Sequence, residues 1–371
     1  MGKKLKLLFV ITEDWVFVSH RLQLAVAASK AGFDVSVATR VNKHRDIIEN
    51  AGIRLIPFEV SRRVGNPVWE VWDLYRLYRR ERPDIVHHVA LKLVLYGSLA
   101  ARLAAIPAQV NAVTGLGWLF VSSNRFLSWG RPMFSRVLAY LLNSPRCRVI
   151  VQNPDDKKLL KQAGVPESYL RLILGSGVDD DKFYPVQKVP GPICVILATR
   201  ILWDKGVGEF VEAARSLKKI LRDARFVLVG KPDPDNPASV QEKIINDWQN
   251  EGAIEWWGHH EEMVPIFNSA HIVCLPSYRE GLPKVLLEGA SCGLPIVTTD
   301  VPGCREVVQN EANGILVPKC DSVALSNALQ RLIANSELRE QMGRRGREIV
   351  LEQFSSKIIN SQTLDVYKEF T

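Results

Sequence analysis

Several features are scarce in this 371-residue chain, and each scarcity excludes a class of protein. Although 47% of the residues are hydrophobic, no apolar run reaches the ~18 residues that a membrane-spanning helix needs. The six cysteines (Cys147, Cys194, Cys274, Cys292, Cys304 and Cys320) are scattered and include no Cys-x2-Cys pair, so neither a zinc ribbon nor a disulfide scaffold is indicated. Several sit inside apolar runs, where the thiol acts as a small core group, and a reducing cytoplasm is the simplest setting. The basic start Met-Gly-Lys-Lys-Leu-Lys is followed by an apolar run, Leu7 to Ile11, that ends at Thr12-Glu13-Asp14 without a small-residue cleavage site. It reads as a strand rather than a signal peptide. No Gly-x-Gly-x-x-Gly follows that strand, which counts against a dinucleotide enzyme, and no P-loop, Ser-His-Asp arrangement or zinc-finger spacing appears.

Negative charge is missing over one long stretch. From Ile85 to Pro154 there is no carboxylate, while Lys92, Arg102, Arg125, Arg131, Arg136, Arg146 and Arg148 all fall there. The net charge of +8 is uneven: residues 1–180 hold 26 Lys+Arg against 15 Asp+Glu, giving +11, and 181–371 hold 22 against 25, giving −3. A face without carboxylates suits an anionic partner. Charge alone would serve nucleic acid equally well. However, Trp118-Leu-Phe-Val121, Phe126-Leu-Ser-Trp129 and Tyr140-Leu-Leu142 interleave aromatics and aliphatics with Arg125, Arg131 and Arg136, as helices in a membrane interface do. An anionic membrane surface is therefore the expected partner, and nucleic acid is not. The alternative is that these aromatics are core and the arginines ordinary surface charge.

Strand-length apolar runs alternate with helical patterns twice over. The first series contains Leu5 to Thr12, a helix from Ser19 to Gly32, Asp34 to Thr39, Ile53 to Pro57, a basic helix from about Trp69 to Glu81, Asp84 to Ala90, a helix from about Leu93, Gln109 to Thr114, Arg148 to Gln152 and Tyr169 to Leu174. Such alternation predicts α/β architecture with a doubly wound parallel sheet, in which ligands bind at the C-terminal edges of the strands. The Thr12 to Ser19 loop falls at that edge. Proline and glycine then gather from Gly175 to Pro192 without periodicity, as in a linker. A second series begins at Ile193 to Thr199 and closes with Gly314 to Val317 and two helices. A chain of this length exceeds what one core holds, and two domains are expected, 1–187 (joined by 355–371) and 188–354.

In the second series, Pro276 to Pro295 bridges two apolar runs, His271 to Leu275 and Pro295 to Thr299. It holds Glu280, then Gly281, Leu282, Pro283 and Lys284, then Glu288. Pro283 suits the first turn of a helix, and Gly293 followed by Pro295 suits its end. A helix N-terminus accepts phosphate, and a carboxylate ~7 to 8 Å deeper could accept from ribose hydroxyls. Glu280, on the preceding loop, could meet a second polyol. Either carboxylate alone is equally a helix cap or an exposed surface group. Upstream, Arg200 and Lys205-Gly206 follow the strand at Thr199; two cations there could hold a diphosphate or simply face water.

Glu280-x7-Glu288 with Gly281-Leu-Pro283 between resembles the nucleotide-sugar site of family-4 retaining glycosyltransferases of GT-B fold, and Arg200-x4-Lys205-Gly206 resembles that family's Arg-x4-Lys-Gly segment. Thr114-Gly115-Leu-Gly117 is similar to the acceptor-side segment of members that extend polyprenyl-diphosphate-linked glycans. The resemblance implies two doubly wound, Rossmann-like domains facing across a cleft, with the chain's last helix crossing back to the first. It also implies a nucleoside-diphosphate sugar donor, retention at the anomeric carbon, and no metal or other cofactor. Under it Arg200 and Lys205 stabilise the departing diphosphate, Glu280 meets a sugar hydroxyl and Glu288 the ribose. The missing glycines of the first loop depart from many members.

Other polar residues are less determined. His87 and His88 are adjacent on a strand, so they point to opposite faces and only one can lean toward a site; a packed or solvated histidine is the default for each. Together with His20 and Thr114 they are candidates for lining the acceptor side, and Lys92 could reach phosphate. His259-His260-Glu261-Glu262 suggests helix-start solvation more than a metal site. Arg344-Arg345-x-Arg347 reads as a solvated face. Two rivals to a transferase remain: a GT-B nucleotide-sugar epimerase, and a nucleotide-sugar-binding protein without catalysis.

Overall fold

A computed structural model describes residues 4–60, 65–116, 125–187 and 191–371, the side chains of 125–132 excepted. Residues 1–176 and 356–371 form one compact unit and 177–355 the other. Gly117 and Trp118 to Val121, named above, lie outside the described residues.

The first unit is built on seven parallel strands: β1 (Lys6–Glu13), β2 (Asp34–Arg40), β3 (Arg54–Pro57), β4 (Ile85–Val89), β5 (Ala108–Val113), β6 (Cys147–Val151) and β7 (Leu170–Leu172), in the order β3-β2-β1-β4-β5-β6-β7. Period-2 alternation sends Phe9 to one face and Leu8 and Val10 to the other. Phe9 packs with Phe17, Val37, Ile359 and Tyr367, whereas Leu8 and Val10 pack with Leu74, Tyr78 and Leu93. Helices thus cover both faces, which is why the strands read as continuous apolar runs. The helix Ser356–Lys368 belongs to this unit, its Ile359, Val366 and Tyr367 buried in the core.

The expected loop from Thr12 to Ser19 is instead the end of β1 and a helix, Asp14–His20. The buried Asp14 carboxylate accepts from the backbone N–H groups of Trp15 (2.7 Å), Asn42 (2.6 Å) and His44 (3.1 Å), and Phe17 anchors the turn in the core. Those donors hold the carboxyl below its usual range even though burial pushes the other way. The helix expected from Ser19 is broken at Arg21 and resumes as Leu22–Lys30.

The second unit has six parallel strands: β8 (Cys194–Ala198), β9 (Arg225–Val229), β10 (Glu255–Gly258), β11 (Ile272–Leu275), β12 (Ile296–Thr299) and β13 (Gly314–Val317), in the order β10-β9-β8-β11-β12-β13. The first part of the stretch read as a linker is tied into this unit. Val178 N–H donates to the Phe354 carbonyl, and the Arg347 guanidinium donates to the carbonyls of Phe183 (2.8 Å) and Asp180 (3.0 Å). Arg347 is therefore a half-buried strut, and only Arg344 of its trio is exposed.

Both strand orders reverse direction once, between β1 and β4 and between β8 and β11. In open parallel sheets the crevice outside such a reversal is where ligands bind.

Candidate nucleotide-sugar site

The β8/β11 reversal is flanked by the two segments singled out in the sequence. Beyond β8 the chain passes Arg200, buries Ile201 and Leu202, and makes a single 3-10 turn, Trp203–Lys205. Gly206 follows at φ 71°, and a Cβ there would stand 2.0 Å from the Pro276 carbonyl oxygen. The close approach requires glycine. It lets Tyr278 N–H donate to the Asp204 carbonyl (2.9 Å), while the Tyr278 hydroxyl donates to Glu209 (2.6 Å). The loop after β11 is fastened on its other side as well. Thr299 Oγ1 donates to the Ser277 carbonyl, and Gly303 (φ 83°) lies against Gly281, where a Cβ would come within 2.5 Å of the Gly281 oxygen.

These contacts bring Lys205 and Glu280, 75 positions apart, to an ion pair of 2.6 Å between Nζ and Oε1. Both side chains are largely shielded, 15% and 13% exposed, so the attraction is little screened. Arg200 is different: it pairs with Asp233 at 2.9 Å and is 45% exposed. Leu282 and Pro283 lead from this loop into the helix Lys284–Ser291, where Pro283 occupies the N-cap rather than the first turn. Glu288 is buried on that helix with Lys284 Nζ 3.3 Å away. Burial pushes the Glu288 carboxyl up from its ordinary value, and Lys284 opposes the shift. The expected donor-side residues thus stand on adjacent segments as three ion pairs, with each expected phosphate ligand already holding a carboxylate.

In the first unit the expectations divide. His87 and His88 do point to opposite faces, but neither can line a site, because both faces are covered and both rings are fully buried. His88 sits between the Tyr78 hydroxyl (2.8 Å) and Asn111 Oδ1 (2.7 Å), and burial pushes its pKa down to about 4. His87 Nδ1 meets the Tyr367 hydroxyl at 2.5 Å, and burial lowers its pKa too. His20 Nδ1 lies 3.3 Å from Ser176 Oγ. Lys92 pairs with Glu70 at 2.7 Å. Thr114 is exposed beyond β5, followed by Gly115 at φ 141°. Sequence reading missed the buried Asp14, which opens the helix after β1 beside the β1/β4 reversal with His44 Nδ1 at 3.4 Å. The acidic dipeptide directly after the first strand was its signal. It also missed Ala90, a non-glycine residue at φ 76° where β4 turns into the helix Leu91–Leu103.

Among the described residues no helix is long and apolar enough to cross a membrane. Comparison with known proteins fits this geometry. Residues 6–153 match the family described as glycosyl transferase 4-like, and 179–349 match glycosyl transferases group 1. The chain is 26% identical over 375 residues to the N,N'-diacetylbacillosaminyl-diphospho-undecaprenol alpha-1,3-N-acetylgalactosaminyltransferase of Campylobacter jejuni, covering 95% of this chain and 97% of that one. It is 27% identical over 270 residues to the UDP-Gal:alpha-D-GlcNAc-diphosphoundecaprenol alpha-1,3-galactosyltransferase of Escherichia coli, covering 68% and 67%. The crystal structure of Anabaena Alr3699/HepE in complex with UDP and glucose superposes with a TM-score of 0.81 at 18% identity, covering 98% of this chain and 99% of that one. With both sheets and both matched segments accounted for, the chain is a glycosyltransferase of the GT-B fold and family-4 type.

Proposed function

We propose that this enzyme transfers a hexose or N-acetylhexosamine from a UDP-sugar, with retention at the anomeric carbon, to a polyprenyl-diphosphate-linked saccharide. It would work peripherally on the cytoplasmic face of an anionic membrane. The observation that carries the donor half is the shielded Lys205–Glu280 pair at the β8/β11 reversal. A sugar diphosphate offers each member a new partner: phosphate oxygens for Lys205 and sugar hydroxyls for Glu280. Gly281, Leu282, Pro283 and Lys284 would present the start of the helix to the nucleotide, and Glu288 would accept from ribose.

As the bond from anomeric carbon to phosphate oxygen breaks, negative charge grows on the diphosphate, and Arg200 and Lys205 would stabilise it. The acceptor hydroxyl forms the new bond on the same face of the sugar, and its proton passes to the departing phosphate oxygen, which has gained the electron pair of the broken bond. Cationic side chains supply the neutralisation in this reading, so no metal is assigned. The acceptor half is supported by the acceptors in the names of the two relatives and by the carboxylate-free span 85–154 with Lys92, Thr114 and Gly115 at its strand ends. His20 stays on the acceptor side of the proposal; His87 and His88 do not.

The test is transfer from a panel of radiolabelled UDP-sugars to undecaprenyl-diphosphate-linked mono- and disaccharides. Labelled lipid with retained configuration is expected. Epimerised free sugar without acceptor, or donor binding with no turnover on any acceptor, overturns the reading. For the membrane, the protein should co-sediment with anionic vesicles at low salt, and Arg125, Arg131 and Arg136 changed together to Glu should release it. A protein that stays in the supernatant removes that part.

A further inference from the structure

The second unit holds a cavity of about 390 Å³ beside the turn that carries Lys205, within the ~300–1,000 Å³ typical of small-molecule sites. Glu209, Val211 and Glu212 line it from the helix Val207–Lys218, and Ile244 and Trp248 from the helix Glu242–Asn250. Cys320 and Ser322, at the start of the helix Ser322–Ala334, complete the rim. Trp203, from the Lys205 turn itself, meets Trp248 edge to face, with ring centres 5.8 Å apart.

Charge in this pocket has one sign. Glu209 and Glu212 line it, and no Lys, Arg or His among the described residues does. Glu212 shares the Arg215 guanidinium with Glu251, so two carboxylates divide one cation. Glu209 accepts from the neutral Tyr278 hydroxyl (2.6 Å) and pairs with no cation among the described residues. Burial, with Glu209 and Cys320 beside it, pushes the Tyr278 hydroxyl up, so it remains a proton donor.

We propose that this pocket binds a small organic ammonium ion and that its occupancy loosens the loop carrying Glu280. Indole rings attract a cation, Val211 and Ile244 cover its alkyl groups, and the carboxylates balance its charge. A neutral apolar ligand would desolvate both carboxylates without compensation, and an anion would be repelled. A bare metal ion needs more converging ligands, and no group of three His, Cys, Asp or Glu that could hold one occurs among the described residues. Tyr278 supplies the coupling, since it stands two residues before Glu280. Its N–H donates to the Asp204 carbonyl in the Lys205 turn (2.9 Å) and its hydroxyl to Glu209. A bound ammonium offers Glu209 a charged donor, stronger than a neutral hydroxyl, and Tyr278 then loses one of its two holds. The effect on donor binding rests on the roles proposed above for Lys205 and Glu280.

Cys320 is exposed at the rim while the other five cysteines are buried, so its alkylation by iodoacetamide reports occupancy in the full chain. Followed by intact mass at constant ionic strength, the rate should fall saturably with choline. Dimethylbutanol, the uncharged carbon isostere of choline, should leave it unchanged. Glu209→Gln should weaken choline binding at least about fivefold through the lost charge. If that variant melts early, Glu212→Gln, at a carboxylate 58% exposed, repeats the comparison. No protection, equal protection by the alcohol, or unchanged choline affinity in both variants overturns the proposal. Saturating choline should also weaken UDP binding about fivefold, and saturating UDP should weaken choline by the same factor. UDP affinity unmoved by bound choline overturns the loosening of the loop. A chain that binds choline but neither UDP nor any UDP-sugar overturns the proposed function and leaves the pocket's assignment standing.

Discussion

Replacing Lys205 by alanine removes a cation and strands Glu280, a carboxylate only 13% exposed. Under the proposed roles, Lys205→Ala and Arg200→Ala each lower kcat/KM by about tenfold to a thousandfold, the scale of losing one donor to developing charge. They should differ in stability. Arg200 is 45% exposed, and breaking so open a pair costs little, so only Lys205→Ala should lower the Tm. Steady-state kinetics with scanning calorimetry separates the two effects, and unchanged turnover in both variants removes the diphosphate assignment.

Glu288→Gln carries an opposed pair of expectations. Its carboxyl is raised by burial, so its contribution to stability is full below the unfolded carboxyl range and is lost as pH rises through the folded value. At neutral pH the neutral amide removes that cost. The variant should bind UDP more weakly yet melt about 2 °C higher, the scale of a ~1 kcal/mol change in a domain of this size. Thermal shift with and without UDP reads both, and a lower melting point without nucleotide contradicts the account. Of these residues the linear chain makes the types and short spacings legible, as in Glu280-x7-Glu288. The Lys205–Glu280 contact is not legible, because 75 residues and three strands separate its halves.

The element that matters most is the loop after β11, held between two glycine-mediated approaches. Gly206→Ala puts a methyl group where the Pro276 carbonyl stands and forces a positive φ on a residue with a Cβ. It should cost more than about 1 kcal/mol and displace the loop that carries Glu280. Denaturant unfolding and UDP affinity should both worsen. A variant of full stability and affinity would show that the loop adapts without loss. The Lys205-Gly206 dipeptide is visible in the sequence, but the need for glycine is not, since it comes from a strand on the far side of the reversal. His87 and His88 teach the same lesson. Alternation places them correctly on opposite faces, yet only the docked helices, including Tyr367 from the far end of the chain, reveal that both faces are closed. Arg347 is misread for a similar reason: helical charge runs resemble solvated faces until a strap such as Asp180 to Phe183 lies across them.

Across the whole molecule, the buried histidines set a pH limit. His88 is held down to about 4 and His87 is also lowered, so between the ordinary histidine range and about pH 4 the unfolded chain binds more protons than the folded one. Stability therefore falls as pH drops through that window, by up to about 1.4 kcal/mol per pH unit for each ring. Melting curves from pH 7 to 4.5 should show this slope, and His88→Gln should flatten it; an unchanged slope would assign the loss to other groups. At this scale the strand and helix alternation makes most of the architecture legible, because parallel strands buried on both sides leave long apolar runs. The Lys205–Glu280 pair also bears on how the catalytic cycle ends. Under the proposed roles, once the sugar has left, Glu280 would lose its hydroxyl partners while Lys205 is still engaged with the spent nucleotide. The carboxylate would then compete for that cation and drive the diphosphate out, a built-in ejector for product. UDP alone should dissociate more slowly from Glu280→Gln than from the unaltered enzyme, and stopped-flow displacement would measure the difference.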